Sequence, residues 1–119
     1  MATYYVDPSG NDSGTGAIDD PWKTWGKPFN DTVAAGDTVY FRGGVYLKDY
    51  ATEVAAESGW FIGYGYRITK DGEEGNYINY YNYPGEVPIL DCSLLRTEDL
   101  DASENNFGIR SLNMNYIRF

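Results

Sequence analysis

The chain contains no histidine. That removes imidazole acid–base chemistry, Ser-His-Asp triads and histidine-based zinc sites from its repertoire. It contains one cysteine, Cys92, so no disulfide can form within the chain. Flanked by Leu90 and Leu94, Cys92 reads as a small buried hydrophobe, and no basic neighbour is at hand to activate the thiol. No apolar run approaches the ~18 residues that a membrane span requires. Cations are scarce: 9 Lys and Arg stand against 18 Asp and Glu, a net charge of −9. A phosphate backbone or an anionic membrane needs a basic surface, so neither nucleic acid nor membrane is an expected partner. A polyanionic sugar stays open where Ca2+ bridges it to carboxylates. Strong helix-forming stretches are few, and the best lies around Asn30 to Ala35. The sequence opens on no signal-peptide pattern. Met1-Ala2 reads as a start placed on a mature sequence, so the compartment is not set by this absence.

What is present favours short strands. The 119 residues make one domain of modest core. A hydrophobic fraction of 42% and an aromatic fraction of 17% are too high for a disordered chain. Twelve Tyr and 14 Gly suit pleated segments joined by tight turns. Thr3 to Val6 is a β-rich run, followed by a turn-rich loop from Asp7 to Gly16. Trp22, Trp25 and Phe29 fall at i, i+3 and i+7, a helical face. Gly26 and Pro28 break it into two short turns, and Gly36 reads as the closing cap. Asp37 to Phe41, Val45 to Leu47, Trp60 to Thr69, Asn76 to Tyr83 and Val87 to Asp91 follow as strands between Gly- and Pro-bearing turns. In the clearest of them, Ile78, Tyr80 and Asn82 share one face, and Asn79, Tyr81 and Tyr83 the other. The chain stops at Leu112 to Phe119 inside an alternating pattern, which predicts the start of something longer. Strand-turn-strand units recurring in the second half are consistent with a degenerate solenoid repeat.

Several pieces together resemble a known opening. Tyr4-Tyr5-Val6-Asp7-Pro8-Ser9-Gly10-Asn11-Asp12, then Gly14-Thr15-Gly16, Pro21-Trp22-Lys23-Thr24 and Ala35 to Tyr46 look like the N-terminal cap of right-handed parallel β-helix proteins. Tyr80 to Asp91 resembles the next piece of the same group. The resemblance is to the pectate-lyase-like β-helix family, closest to polysaccharide lyase family 9 and its uncharacterised relatives. It covers most of residues 4 to 46 and 76 to 119, and 47 to 75 matches less clearly. It implies a mainly β fold: the start of a right-handed parallel β-helix with a short capping helix. The cap would span about 3–46 and the first incomplete coils about 60–119. The cap helix should lie over the raw strand edge of the first coil, with the Trp22, Trp25 and Phe29 face turned inward. In the lyases resembled, calcium-binding acidic residues and a basic residue that abstracts a proton beside a uronate carboxylate do the work. No position here matches them, so no catalytic residue carries over.

Asp99, Asp101 and Glu104, with Glu98, offer four carboxylates in one short loop, a candidate metal site against the simpler reading of a solvated acidic loop. Asp7, Asn11 and Asp12 carry oxygens suited to Ca2+ but serve a turn equally well. Asp37 reads as a turn-bonding carboxylate. Tyr81 and Tyr83, with Tyr64 and Tyr66, are candidates for substrate binding, since flat rings stack on pyranose faces, and Tyr is also a good strand residue. Asn79, Asn82, Asn113 and Asn115 are placed to stack as polar ladders. Arg42 and Lys48 are the local cations best placed to receive an acidic sugar.

The functional expectation is the capping segment of a secreted or cell-surface carbohydrate-active protein. Its parent would be a polysaccharide lyase acting on uronic-acid polymers by Ca2+-assisted β-elimination. The segment itself would carry no active site and no cofactor, and would self-associate through its exposed C-terminal edge. The alternative is a non-catalytic glycan-binding, adhesion or structural module.

Overall fold

Strand pairing organises the molecule. A computed structural model describes residues 1–47, 66–68, 70–91, 109–111, 115 and 117–119. The elements run β1 (Thr3–Val6), α1 (Gly26–Asn30), β2 (Thr38–Phe41), β3 (Gly44–Leu47), β4 (Tyr66–Ile68), β5 (Ile78–Asn82), β6 (Pro88–Asp91), β7 (Ile109–Ser111) and β8 (Ile117–Arg118). One sheet has the order β1-β2-β5-β8, a second pairs β3 with β6, and a third pairs β4 with β7. Each of these pairings is parallel. Parallel neighbours cannot be joined by a tight turn, and here the other two sheets supply the crossover. The chain visits the three sheets in turn through β2, β3 and β4, then repeats the round through β5, β6 and β7. Thr38 pairs with Asn79, Gly44 with Pro88 and Ile78 with Ile117, so one coil takes about 40 residues. This is the expected β-helix.

Period-2 alternation decides which side chains enter the coil. Val39 and Phe41 of β2 and Ile78 and Tyr80 of β5 point inward and are buried, while Tyr40 and Tyr81 point outward. Trp22, Trp25 and Phe29 join that core, but not as one helical face: Phe29 lies in α1, Trp25 caps it, and Trp22 sits in an extended segment that bridges Val6. Phe29 meets Tyr80 edge-on, with ring centroids 4.9 Å apart, and Trp25 lies 4.9 Å from Phe41. The Tyr80 hydroxyl donates to the Pro28 carbonyl at 3.2 Å, which ties α1 to β5.

Two helical expectations are corrected. The helix runs over Gly26–Asn30 and takes in only the first residue of the Asn30 to Ala35 stretch, because Asp31 turns extended and Thr32 takes a φ of 56°. Asp31 and Thr32 compete for local backbone bonds, with Thr32 N–H donating to Asp31 Oδ1 at 2.8 Å, and Val33 is drawn into the core. Gly36, at φ 90°, closes no helix. It serves the turn in which Asp37 N–H donates to Ala34 O at 3.0 Å before β2 begins.

Nor does α1 cover the outer edge of β1. That edge bonds to the loop that follows β1: Tyr5 N–H donates to Gly16 O at 2.7 Å, Trp22 N–H to Tyr5 O at 3.0 Å, and Asp7 N–H to Trp22 O at 2.8 Å. An extended segment can pair with free strand N–H and C=O groups, whereas a five-residue helix cannot. The helix packs instead against β4 and fills the interior. The strand readings at 60–69 and 112–119 lie largely outside the described residues, and their described parts are β4 and β8.

Candidate functional site

The outward face of the four-stranded sheet carries a cluster of tyrosines. Register puts Tyr5, Tyr40 and Tyr81 side by side on β1, β2 and β5. Tyr83, just past β5, folds back over them. Ring centroids are 5.9 Å apart for Tyr5 and Tyr40, 6.4 Å for Tyr40 and Tyr81, 6.1 Å for Tyr40 and Tyr83, and 6.3 Å for Tyr5 and Tyr83. Interplanar angles run from 26° to 76°, so the rings form a fan that offers both edges and faces. All four are half-buried. Beside the fan runs a polar row, Thr3, Thr38 and Asn79, in register on the same strands. Tyr81 Oη donates to Asn79 Oδ1 at 3.1 Å, and Asn79 Nδ2 donates to Thr38 Oγ1 at 3.3 Å.

The candidate pair Tyr81 and Tyr83 thus shares a face. Their partners there are Tyr5 and Tyr40, which the sequence reading missed. Alternation within β1 and β2 shows which residues point outward, but the offset that aligns the strands is long-range. Tyr66 sits on β4, in a different sheet from Tyr81, so the two do not share a face. Tyr64 lies outside the described residues. The asparagine ladder is not found among the described residues, because Asn79 faces Thr38 and Arg118, and Asn82 faces Phe41. Asn113 lies outside them.

Arg42 borders the tyrosine face but is already engaged. Its guanidinium lies 4.3 Å over the Tyr83 ring. Its Nε and Nη2 donate to both carboxylate oxygens of Glu86 at 3.0–3.2 Å, and Gly43 N–H donates to Glu86 Oε1 at 2.7 Å. These hydrogen bonds, the one from Arg42 first, hold the Glu86 carboxyl below its usual value. Lys48 lies outside the described residues.

The oxygens named for Ca2+ are engaged by the loop that carries them. Asp7 Oδ1 accepts from Ser9 N–H and Oγ, and Asn11 Oδ1 accepts from Ser13 N–H and Oγ. Asp12 accepts from Lys23 N–H, Thr24 N–H and Thr24 Oγ1 at 2.6–2.9 Å. These carboxyl and amide groups build the loop that edges β1. Among the described residues no three His, Cys, Asp or Glu side chains group as a metal site. Asp37 is buried and accepts from Ala2 N–H at 2.7 Å and Ala34 N–H at 2.9 Å, the backbone-bonding role read from its position. Asp99, Asp101 and Glu104, with Glu98 and Cys92, lie outside the described residues.

Comparison with known proteins places this arrangement. Residues 4–118 match the Pel9A-like, right-handed beta-helix region. The chain is 33% identical over 107 residues to pectate lyase PEL9 of Emericella nidulans, which covers 88% of this chain and 22% of that protein. It superposes on a rhamnogalacturonan lyase with a TM-score of 0.70 and 33% identity, covering 83% of this chain and 24% of the other. A structure of XylC in complex with xylose follows at a TM-score of 0.53 and 25% identity, covering 72% of this chain and 11% of that one. The chain therefore spans a quarter or less of the length of each of these relatives.

Proposed function

Since the chain belongs to the Pel9A-like right-handed β-helix family, we propose that it forms the cap and first coils of a longer polysaccharide lyase, secreted or held at the cell surface. The cap spans about 3–46 and the coils about 60–119. The observation that carries this reading is the match over residues 4–118, laid on three parallel sheets that stack coil upon coil.

The substrate class is a uronic-acid polymer, cleaved by β-elimination. A base removes the proton beside the uronate carboxylate, the glycosidic oxygen leaves, and a double bond remains in the sugar. Ca2+ on the carboxylate would stabilise the charge that develops there. The described residues supply neither a fitting cation site nor a free base at a shared site. In this reading the chemistry lies on other coils of the longer protein, as the resemblance to the lyases implies, and here the chain contributes scaffold. Tyr81 and Tyr83, with Tyr5 and Tyr40, contact the polysaccharide without cleaving it. The described end strand β8 pairs on one side with β5, and its other edge takes a further strand, from a following coil or from a second copy.

The test is a depolymerisation assay on pectate, with and without Ca2+, read by the ultraviolet absorbance of the unsaturated product. A longer polypeptide that includes this segment should release product, and the 119-residue chain should release none. Product from the short chain would refute the scaffold role, and none from the longer one would refute the lyase.

A further inference from the structure

We infer that Arg118 is the carboxylate receptor of the tyrosine-bearing sheet: it binds the carboxylate of an acidic sugar unit directly, with no bridging divalent cation. The inference rests on the reading that this face contacts polysaccharide, and it names the residue that reads the charge.

Register places the cation. β8 pairs with β5 so that Arg118 lies beside Asn79, and Asn79 lies beside Thr38, which extends the polar row of the outward face. Arg118 is exposed. Its guanidinium lies 4.0 Å over the ring of Tyr77, two residues ahead of Asn79. Such stacking uses the flat side of the guanidinium. The five N–H donors lie in its plane and stay available to a carboxylate, which takes two of them in parallel. The ring also confines the side chain before a ligand arrives, so less rotamer freedom is lost on binding.

Competition separates Arg118 from the other arginine at this face. Arg42 gives Nε and Nη2 to Glu86, and Gly43 N–H fixes the same carboxylate, so an incoming acid would have to displace it. Arg118 enters no ion pair among the described residues. Two carboxylates on adjoining turns are held by backbone: Asp71 Oδ1 accepts from Asn115 N–H at 2.6 Å, and buried Asp37 accepts from Ala2 and Ala34 N–H. In a chain of net charge −9 an anionic polymer is repelled at long range, so a local cation with open donors decides where its carboxylate settles. Hydroxyl and amide groups flank that cation. Tyr81 Oη donates to Asn79 Oδ1 and Asn79 Nδ2 to Thr38 Oγ1, a row that suits the sugar hydroxyls next to a carboxylate.

The experiment is affinity electrophoresis of the 119-residue chain, with a chelator present, through gels containing polygalacturonate or its methyl ester. The ester keeps the sugar backbone and removes the charge. The wild-type chain should be retarded by polygalacturonate and roughly tenfold less by the ester, the size of one charge-assisted pair of hydrogen bonds. Arg118→Gln should weaken retardation by polygalacturonate by about the same factor and leave the ester unchanged. Arg118→Lys keeps the charge without the planar fork and should fall between the two. Circular dichroism confirms that each variant is folded, and the wild-type preference for acid over ester needs no variant. Equal retardation by acid and ester would overturn the inference while leaving polysaccharide contact standing. Retardation by polygalacturonate that appears only after Ca2+ is added would overturn direct binding, and full retention by folded Arg118→Gln would remove Arg118 from the site. Retardation by neither polymer, with or without Ca2+, would overturn both the inference and the reading beneath it.

Discussion

Gly16 has no room for a methyl group. Its φ is 84°, and a Cβ there would sit 2.8 Å from both the Trp22 and Tyr4 rings. Those rings stack at 4.7 Å, so neither can yield without breaking the pair. Gly16→Ala should cost about 1–3 kcal/mol, read as a lower urea midpoint. Tyr46 is a second residue whose role is local. Its buried hydroxyl donates to Val6 O at 2.9 Å and to Arg42 O at 2.6 Å, and burial raises the phenol pKa above its ordinary value. Tyr46→Phe keeps the ring and removes the donor, so a loss of roughly 1–2 kcal/mol is expected in the same assay. The sequence shows residue roles where they depend on alternation alone. Tyr81 and Tyr83 read as one face because they are two apart on one strand. Tyr5 and Tyr40 were not legible as their neighbours, since they reach Tyr81 only through pairings some 35 to 41 residues apart, which no local pattern encodes.

Among the elements, α1 is a plug. The structure buries Trp22, Trp25 and Phe29, but only Phe29 lies in α1, so the spacing named core residues without marking one helical face. Its end was misread because Gly36 looks like a helix terminator, while the Asp31–Thr32 turn stops the helix earlier. The cover of the β1 edge was also misassigned, because the loop from Asp7 to Trp22 carries turn residues that hide its pairing with Tyr5. Phe29 is 1% exposed between Phe41 and Tyr80, so Phe29→Ala should cost about 3–5 kcal/mol and flatten the near-ultraviolet dichroism of the aromatic core.

A second element-scale device is the corner where the turn after β5 meets the end of β2. The Glu86 carboxyl is held below its usual value near 4.5, so its bond to Arg42 adds stability above that pH and loses it as pH falls through the lowered value. Wild type should therefore melt higher than Glu86→Gln at neutral pH, with the gap narrowing as pH falls below 4.5 and through the lowered value. A gap unchanged down to the lowest pH would remove the charged pair as its source.

At the scale of the whole molecule, the repeat is the fold. The β-helix was legible through the resemblance of its opening motifs to a known family. The coil length of about 40 residues was not, because the stacked strands share no repeated sequence. Thr38-Val39-Tyr40-Phe41 stacks on Asn79-Tyr80-Tyr81-Asn82, and what the two have in common is the alternation of inward and outward side chains. Such a stack extends by adding strands to its open edges. β1 is edged by its own loop, while β8 pairs with β5 alone among the described strands. Beside β8, Phe119 lies over the Tyr80 ring at 5.8 Å yet is 67% exposed, so apolar surface accompanies this strand.

That edge gives the most direct test of the central claim, that this chain is a coil stack built to be continued. The measurement is the mass in solution by light scattering across a concentration series, for the wild type and for Ile117→Pro, which removes a strand N–H donor and disrupts β8. The wild type should rise to a dimer or larger species with concentration, and the variant should stay nearer to monomer. A wild-type chain that remains monomeric at every concentration, with cooperative unfolding, would contradict the claim and describe a module that closes its own core.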